Sequence, residues 1–298
     1  MEIQVVELGP DVVGKRLGQN MYSPKGSLLL RRGAEIKPTH FAHLKEMGYR
    51  SVYLLESGQE DAFDSDGLLI SEELRARAPV MLREIFRKLL SPKRPEMIQG
   101  KRELNQLAEQ LLAEMNYRAK GRFYYLDLKR RDDYLYQHAL DVATYALLMG
   151  HSLQYHQLKL MSLVSGALLH DIGKLLIDEA IVNKTTPLDE QETRLLREHT
   201  VKGFQHLGRA CQFDGLITIV ALQHHERFDG NGYPKGLSGH EIHEFSRIVA
   251  LANFFDEYTS DLPHRRMHSI AEAAERMKAE AGSAFDPELV PHFLAFIE

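Results

Sequence analysis

From Ser71 to its end, this 298-residue chain places its apolar residues at the spacing of helix faces, and that period excludes most β architectures. Leu82, Ile85, Phe86, Leu89 and Leu90 follow i, i+3, i+4, i+7, i+8 until Ser91-Pro92 stops the run. Beyond the Pro92–Gly100 linker, Leu104, Leu107, Leu111 and Met115 make a second stripe. Further helices are predicted over Asp132–Gly150, Leu158–His170, Asp189–His199, Leu216–His225 and Phe245–Tyr258, with Asp189 and Glu192 forming a capping box. The chain's beginning reads differently. Gln4–Leu8, Gly18–Tyr22, Ser27–Leu30 and Ser51–Leu55 are candidate strands around a helix over Pro38–Met47. The fold expected is mainly α: a small α+β module (1–57), a helical connector (58–120) and an all-α domain (121–298). The two connector stripes fit a hairpin packed on its own chain, or a face that pairs two copies. The amount of apolar face predicts a homodimer.

Charge and cysteine usage narrow the function. With 37 Lys+Arg against 42 Asp+Glu the net charge is −5, which argues against a grip on nucleic acid polymers. The single cysteine, Cys211, excludes an intramolecular disulfide and a Cys-based zinc cluster, and suits a reducing cytoplasm. No membrane association is expected. Apolar stretches such as Leu160–Leu169 are too short to span a bilayer, and Met1-Glu2-Ile3 begins no signal peptide.

Fifteen histidines is a high count, and a few have a distinctive setting. His170-Asp171 closes the apolar run Leu160–Leu169, and His224-His225 closes Leu216–Leu222, with His138 and His199 on neighbouring helices. Imidazole and carboxylate together are the ligand set of manganese, iron, cobalt, nickel or zinc. A carboxylate beside a His can bridge two ions, which can then share a hydroxide and clamp a phosphate. His40, His43, His151, His156, His206, His240, His243, His264, His268 and His292 lack this setting and read as surface or packing residues.

The order His138, His170-Asp171-Ile172-Gly173-Lys174, Glu198-His199, Gly203 and His224-His225-Glu226-Arg227-Phe228-Asp229-Gly230-Asn231-Gly232-Tyr233-Pro234 resembles the HD superfamily of phosphohydrolases, in its HD-GYP branch. The resemblance covers Arg122 to Arg265 closely. It implies an all-α domain that hydrolyses cyclic di-GMP, a bacterial signalling molecule, at two divalent ions, iron or manganese. The implied ligands are His138, His170, Asp171, His199, His224, His225 and Asn253, with Asp171 bridging and catalytic. Lys174 is the implied catalytic and phosphate-contacting lysine. Gly232, Tyr233, Pro234 and Arg265 are implied to bind substrate.

Three positions depart from the family pattern. Tyr134 stands where trinuclear members carry a Glu, which disfavours a third ion. Asn253 stands where the last ligand is Asp, and Leu262 replaces an arginine that binds phosphate. Asp256, three residues past Asn253, is a poor substitute ligand because the family also has an Asp there. Asn253 and Leu262 together motivate an alternative: a weakened domain that binds cyclic di-GMP, or a partner such as a diguanylate cyclase, and signals by contact. Hydrolysis of another nucleotide is a third reading.

Overall fold

Residues 4–18, 20–23, 27–47, 49, 51–55, 69–118, 134–260 and 268–297 are described by a computed structural model of the chain. The N-terminal module contains β1 (Gln4–Glu7), β2 (Met21–Tyr22), β3 (Leu28–Leu30), α1 (Pro38–Glu46) and β4 (Ser51–Leu54). β1 pairs antiparallel with β4, from Gln4 opposite Leu54 to Glu7 opposite Ser51, and β2 pairs with β3. Val12, Leu17, Met21, Ile36, Leu44, Val52 and Leu54 close over a small core of their own.

Two long helices follow, α2 (Glu72–Leu89) and α3 (Arg94–Arg118). The Ser71 hydroxyl caps α2 by accepting from Leu74 N–H at 3.1 Å, and donates to Glu114 on α3 at 2.8 Å. That bond staples the start of one helix to the far end of the other. Asn20 and Tyr22 of the N-terminal module both donate to Glu72, at the first turn of α2.

The helical body comprises α4 (Tyr134–Ser152), α5 (Gln157–Leu169), α6 (Glu179–Val182), α7 (Glu190–Arg197), α8 (His199–Gln205), α9 (Gly215–Gln223), α10 (Glu244–Thr259), α11 (Ile270–Ala279) and α12 (Leu289–Ile297). In α4 every residue from His138 to Gly150 is buried, so this helix is central and is covered by α2, α3, α5, α10 and α12. The expected capping box of α7 is present: Asp189 accepts from Glu192 N–H and Glu192 accepts from Asp189 N–H, both at 2.8 Å. No described helix is long and apolar enough to cross a membrane.

The connector stripes correct one expectation. Leu82, Ile85, Phe86, Leu89, Leu104, Leu107, Leu111 and Met115 are each at most 1% exposed, within one cluster shared with α4 and α5. Their apolar area is consumed inside the chain, so they offer no face for pairing two copies. A stripe in a sequence says that a face is buried, not what covers it.

Candidate metal centre

Where α5 ends at Leu169, the chain tightens into a 3-10 turn at Ile172–Leu176, leaving His170 and Asp171 at the junction. That turn packs on the start of α8, and Gly173 makes the approach feasible. A Cβ there would lie 1.9 Å from the His199 carbonyl oxygen and 2.8 Å from Gly203 N, so the backbone contact requires glycine. Gly173→Ala is therefore expected to lower the urea midpoint, at a cost on the order of 3 kcal/mol, through forced separation of this turn from α8. A variant within about 0.5 kcal/mol of wild type would refute that packing.

The two elements bring His199 to Asp171. α9 stops at Gln223 and delivers His224 and His225 to the same place, while His138 enters from α4 and Asn253 from α10. Each oxygen of Asp171 faces two imidazoles. Oδ2 lies 3.6 Å from His138 Nε2 and 3.4 Å from His170 Nε2. Oδ1 lies 3.3 Å from His199 Nε2 and 3.6 Å from His224 Nε2. The ligating atoms thus fall into two groups, His138–His170–Asp171 and Asp171–His199–His224–His225, with Asp171 in both.

The rings are held with their lone pairs inward. His170 Nδ1–H donates to the Ala167 carbonyl at 2.7 Å, His199 Nδ1–H to Leu196 at 2.6 Å, and His224 Nδ1–H to Val220 at 3.1 Å. His138 Nδ1–H donates to Asp256 Oδ2 at 2.5 Å. Fixing the outer nitrogen as donor sets the tautomer that leaves Nε2 free to ligate. Those Nε2 atoms crowd together: His138 and His170 at 3.2 Å, His199 and His224 at 3.4 Å, with Asn253 Oδ1 at 2.9 Å from His138 Nε2. Lone pairs aimed at one point repel unless a cation takes them. Bonds of about 2.1 Å at right angles put neighbouring donors about 3 Å apart, which is the spacing here. Asp171 Oδ1, buried and accepting no hydrogen bond, fits the same reading. The residues present suit divalent metal.

Electrostatics agree. Burial pushes His224 down to about 3, and burial with the neighbouring His224 and His199 holds His225 well below the usual imidazole range. Neutral rings are the form that ligates. Burial opposes the charge of Asp171, but Lys174 and then His170 outweigh it and hold the carboxyl well below its ordinary value. Lys174 Nζ donates to Asp171 Oδ2 at 2.5 Å. Burial works against its charge as well, and Asp171 and Glu257 reverse that and raise it.

The Phe228–Gly239 loop folds back over this centre. Glu226, 3% exposed, accepts from the backbone N–H groups of Lys235 at 2.8 Å and Leu237 at 3.0 Å. A Cβ on Gly232 would sit 2.3 Å from Arg227 N and 2.5 Å from Glu226 Cα, so the close approach of this glycine is to its own chain. Tyr233 N–H donates to the His225 carbonyl at 3.2 Å, and its ring stacks on His225 with centroids 4.8 Å apart. Pro234 is exposed beside it. Burial, with Asp171 and Glu257, raises the Tyr233 phenol, so it stays protonated.

All the residues singled out as ligands converge here, as do Lys174 and Tyr233. Leu262 and Arg265 lie outside the described residues. At the position of the absent third-site Glu, Tyr134 lays its ring parallel to His138, with centroids 5.5 Å apart. The sequence reading missed two positioning residues. Asp256 is the carboxylate that orients His138, and Glu226 clamps the loop; their signals were the i+3 spacing from Asn253 and a charged residue directly after a His doublet. Several other histidines serve as expected: His156 and His243 accept from backbone N–H groups at helix starts, and His206 bonds the Leu89 carbonyl.

A helical domain that gathers imidazoles around one shared aspartate is a metal-binding domain. A family model described as HD domain matches residues 84–289. The chain is 36% identical over 171 residues to Cyclic di-GMP phosphodiesterase PA4108 of Pseudomonas aeruginosa, covering 57% of this chain and 40% of that protein. It is 35% identical over 158 residues to 3'3'-cGAMP-specific phosphodiesterase 3 of Vibrio cholerae, covering 53% and 34%. The solved structure of Bd1817, a HDG"Y"P protein from Bdellovibrio bacteriovorus, shares the fold at a TM-score of 0.59 and 17% identity over 99% of both chains. The chain spans less than half the length of the two curated relatives it matches. It belongs to the HD domain family.

Proposed function

We propose that this chain is a phosphodiesterase that hydrolyses cyclic di-GMP with two divalent ions, iron or manganese, held by His138, His170, Asn253 and Asp171 on one side and by Asp171, His199, His224 and His225 on the other. The carrying observation is that each Asp171 oxygen faces its own imidazole pair. Two ions held by these residues would supply an activated water and a clamp on the phosphate oxygens. The chain's own residues do the rest. Lys174, kept charged by Asp171, offsets negative charge that grows on the phosphate during attack. Tyr233, protonated and fixed on His225, borders the nucleotide and presents its hydroxyl as a donor. Asp256 and Glu226 hold His138 and the loop in register. Arg265 supplies a further cation to the substrate. The parallel Tyr134 ring supports two ions rather than three.

Metal-loaded protein is expected to cleave cyclic di-GMP with a higher kcat/KM than 3'3'-cGAMP or cyclic di-AMP. A preference for 3'3'-cGAMP overturns the choice of substrate. Binding of cyclic di-GMP without turnover, with metal present, replaces the enzyme by the weakened signalling module that Asn253 and Leu262 suggest. Its partner would then be a protein such as a diguanylate cyclase.

A further inference from the structure

Arg197 ends α7, two residues before the ligand His199, and its side chain is exposed. Its backbone is anchored. The Arg197 carbonyl accepts from Thr200 Oγ1 at 3.0 Å, and the neighbouring Leu196 carbonyl accepts from His199. The guanidinium carbon lies 4.9 Å from the centroid of the Tyr233 ring, which in turn stacks on His225. Imidazole, phenol and guanidinium therefore lead outward from the candidate metal centre to the surface.

Three other described cations around the centre are committed to carboxylates. Lys174 pairs with Asp171, Lys202 with Glu198, and Arg227 with Asp229 and Glu280. Among the described residues, no carboxylate pairs with Arg197. A contact with a ring face uses no hydrogen-bond acceptor, so the guanidinium donors remain available for a planar anion. The chain also carries Leu262 where its family resemblance implies a phosphate-binding arginine.

We infer that Arg197 is a specificity-determining residue that grips the second phosphate of a cyclic dinucleotide, the one not being cleaved, from its seat on the Tyr233 ring. The inference rests on the reading of the chain as a cyclic dinucleotide phosphodiesterase. A bidentate guanidinium–phosphate pair in this place strengthens substrate binding before and during reaction alike, so its loss falls on KM rather than kcat.

The test uses metal-loaded full chain with cyclic di-GMP, and bis(p-nitrophenyl) phosphate as a diester with one phosphate. Arg197→Gln is expected to raise KM for cyclic di-GMP tenfold or more, with kcat changed less than threefold. Its effect on bis(p-nitrophenyl) phosphate should be at least ten times smaller, and its bound metal equal to that of wild type. Arg197→Lys, which keeps charge but not the fork, is expected to fall between. An unchanged KM in Arg197→Gln overturns the inference alone. Equal losses on both diesters, or lost metal, make Arg197 a structural support of Tyr233 and overturn it too. Wild type that cleaves bis(p-nitrophenyl) phosphate but neither binds nor cleaves cyclic di-GMP overturns the substrate reading and takes this inference with it.

Discussion

Asp171→Ala is expected to retain less than a tenth of the wild-type metal, measured by mass spectrometry of the purified, folded protein. Its two oxygens face different imidazole pairs, so one substitution removes a charged donor from both groups. Charge makes that loss larger than the loss of an imidazole. At an effective dielectric near 20, two unit charges 4 Å apart attract by about 4 kcal/mol, and a dication doubles the effect before desolvation offsets most of it. His170→Ala removes a ligand only from the group containing His138, and is expected to spare the metal held beside His224 and His225. Asp171→Ala also leaves Lys174 without its carboxylate, so folding is checked by circular dichroism. Adding Lys174→Met removes the orphaned charge and is expected to restore stability without restoring metal. Folded Asp171→Ala with normal metal content would falsify the bridging assignment.

The contrast between these variants shows what a sequence can disclose about such a centre. His170-Asp171 and His224-His225 were legible because each doublet closes an apolar helix, and a helix end lets adjacent residues aim at one point. The helix α4 was legible through its apolar run, and His138 with it. The partners that make these residues work were less so. His138 meets Asp256 and Asn253 across 118 and 115 residues of sequence, and no local pattern specifies that pairing. Glu226 acts on backbone N–H groups, which carry no residue identity to read. Arg197 reaches Tyr233 from a different element, through a contact that only packing of α7 against the loop creates. The stripes of α2 and α3 were seen correctly but left two covers open, because burial inside one chain and burial between two use the same residues.

Asn253→Asp is expected to tighten metal binding in the His138 group at least tenfold. Asn253 is 5% exposed, and its Oδ1 sits 2.9 Å from His138 Nε2, so an aspartate there places a charged oxygen on the same spot. Tenfold is about 1.4 kcal/mol, far below the raw attraction between a carboxylate and a dication, because three opposing effects are built into the site. The new charge must be desolvated. It also joins Asp256, which already accepts from His138, and Asp171. Asp141 lies close behind and is itself raised well above the ordinary carboxylate range by burial and by Asp256, a sign that this pocket resists further negative charge. The metal-free variant should therefore melt below wild type, and the metal-loaded variant at or above it. At limiting metal its hydrolysis of cyclic di-GMP should rise, and Leu262→Arg added to it should lower KM through a bidentate phosphate contact. Metal titration followed by calorimetry reads the first effect, and turnover at substoichiometric metal reads the second. If wild type already binds metal as tightly as Asn253→Asp, the amide oxygen is a competent ligand and the family's carboxylate is dispensable in this pocket. If the double variant binds metal fully and still turns nothing over, the loss of chemistry lies elsewhere and the domain signals by binding.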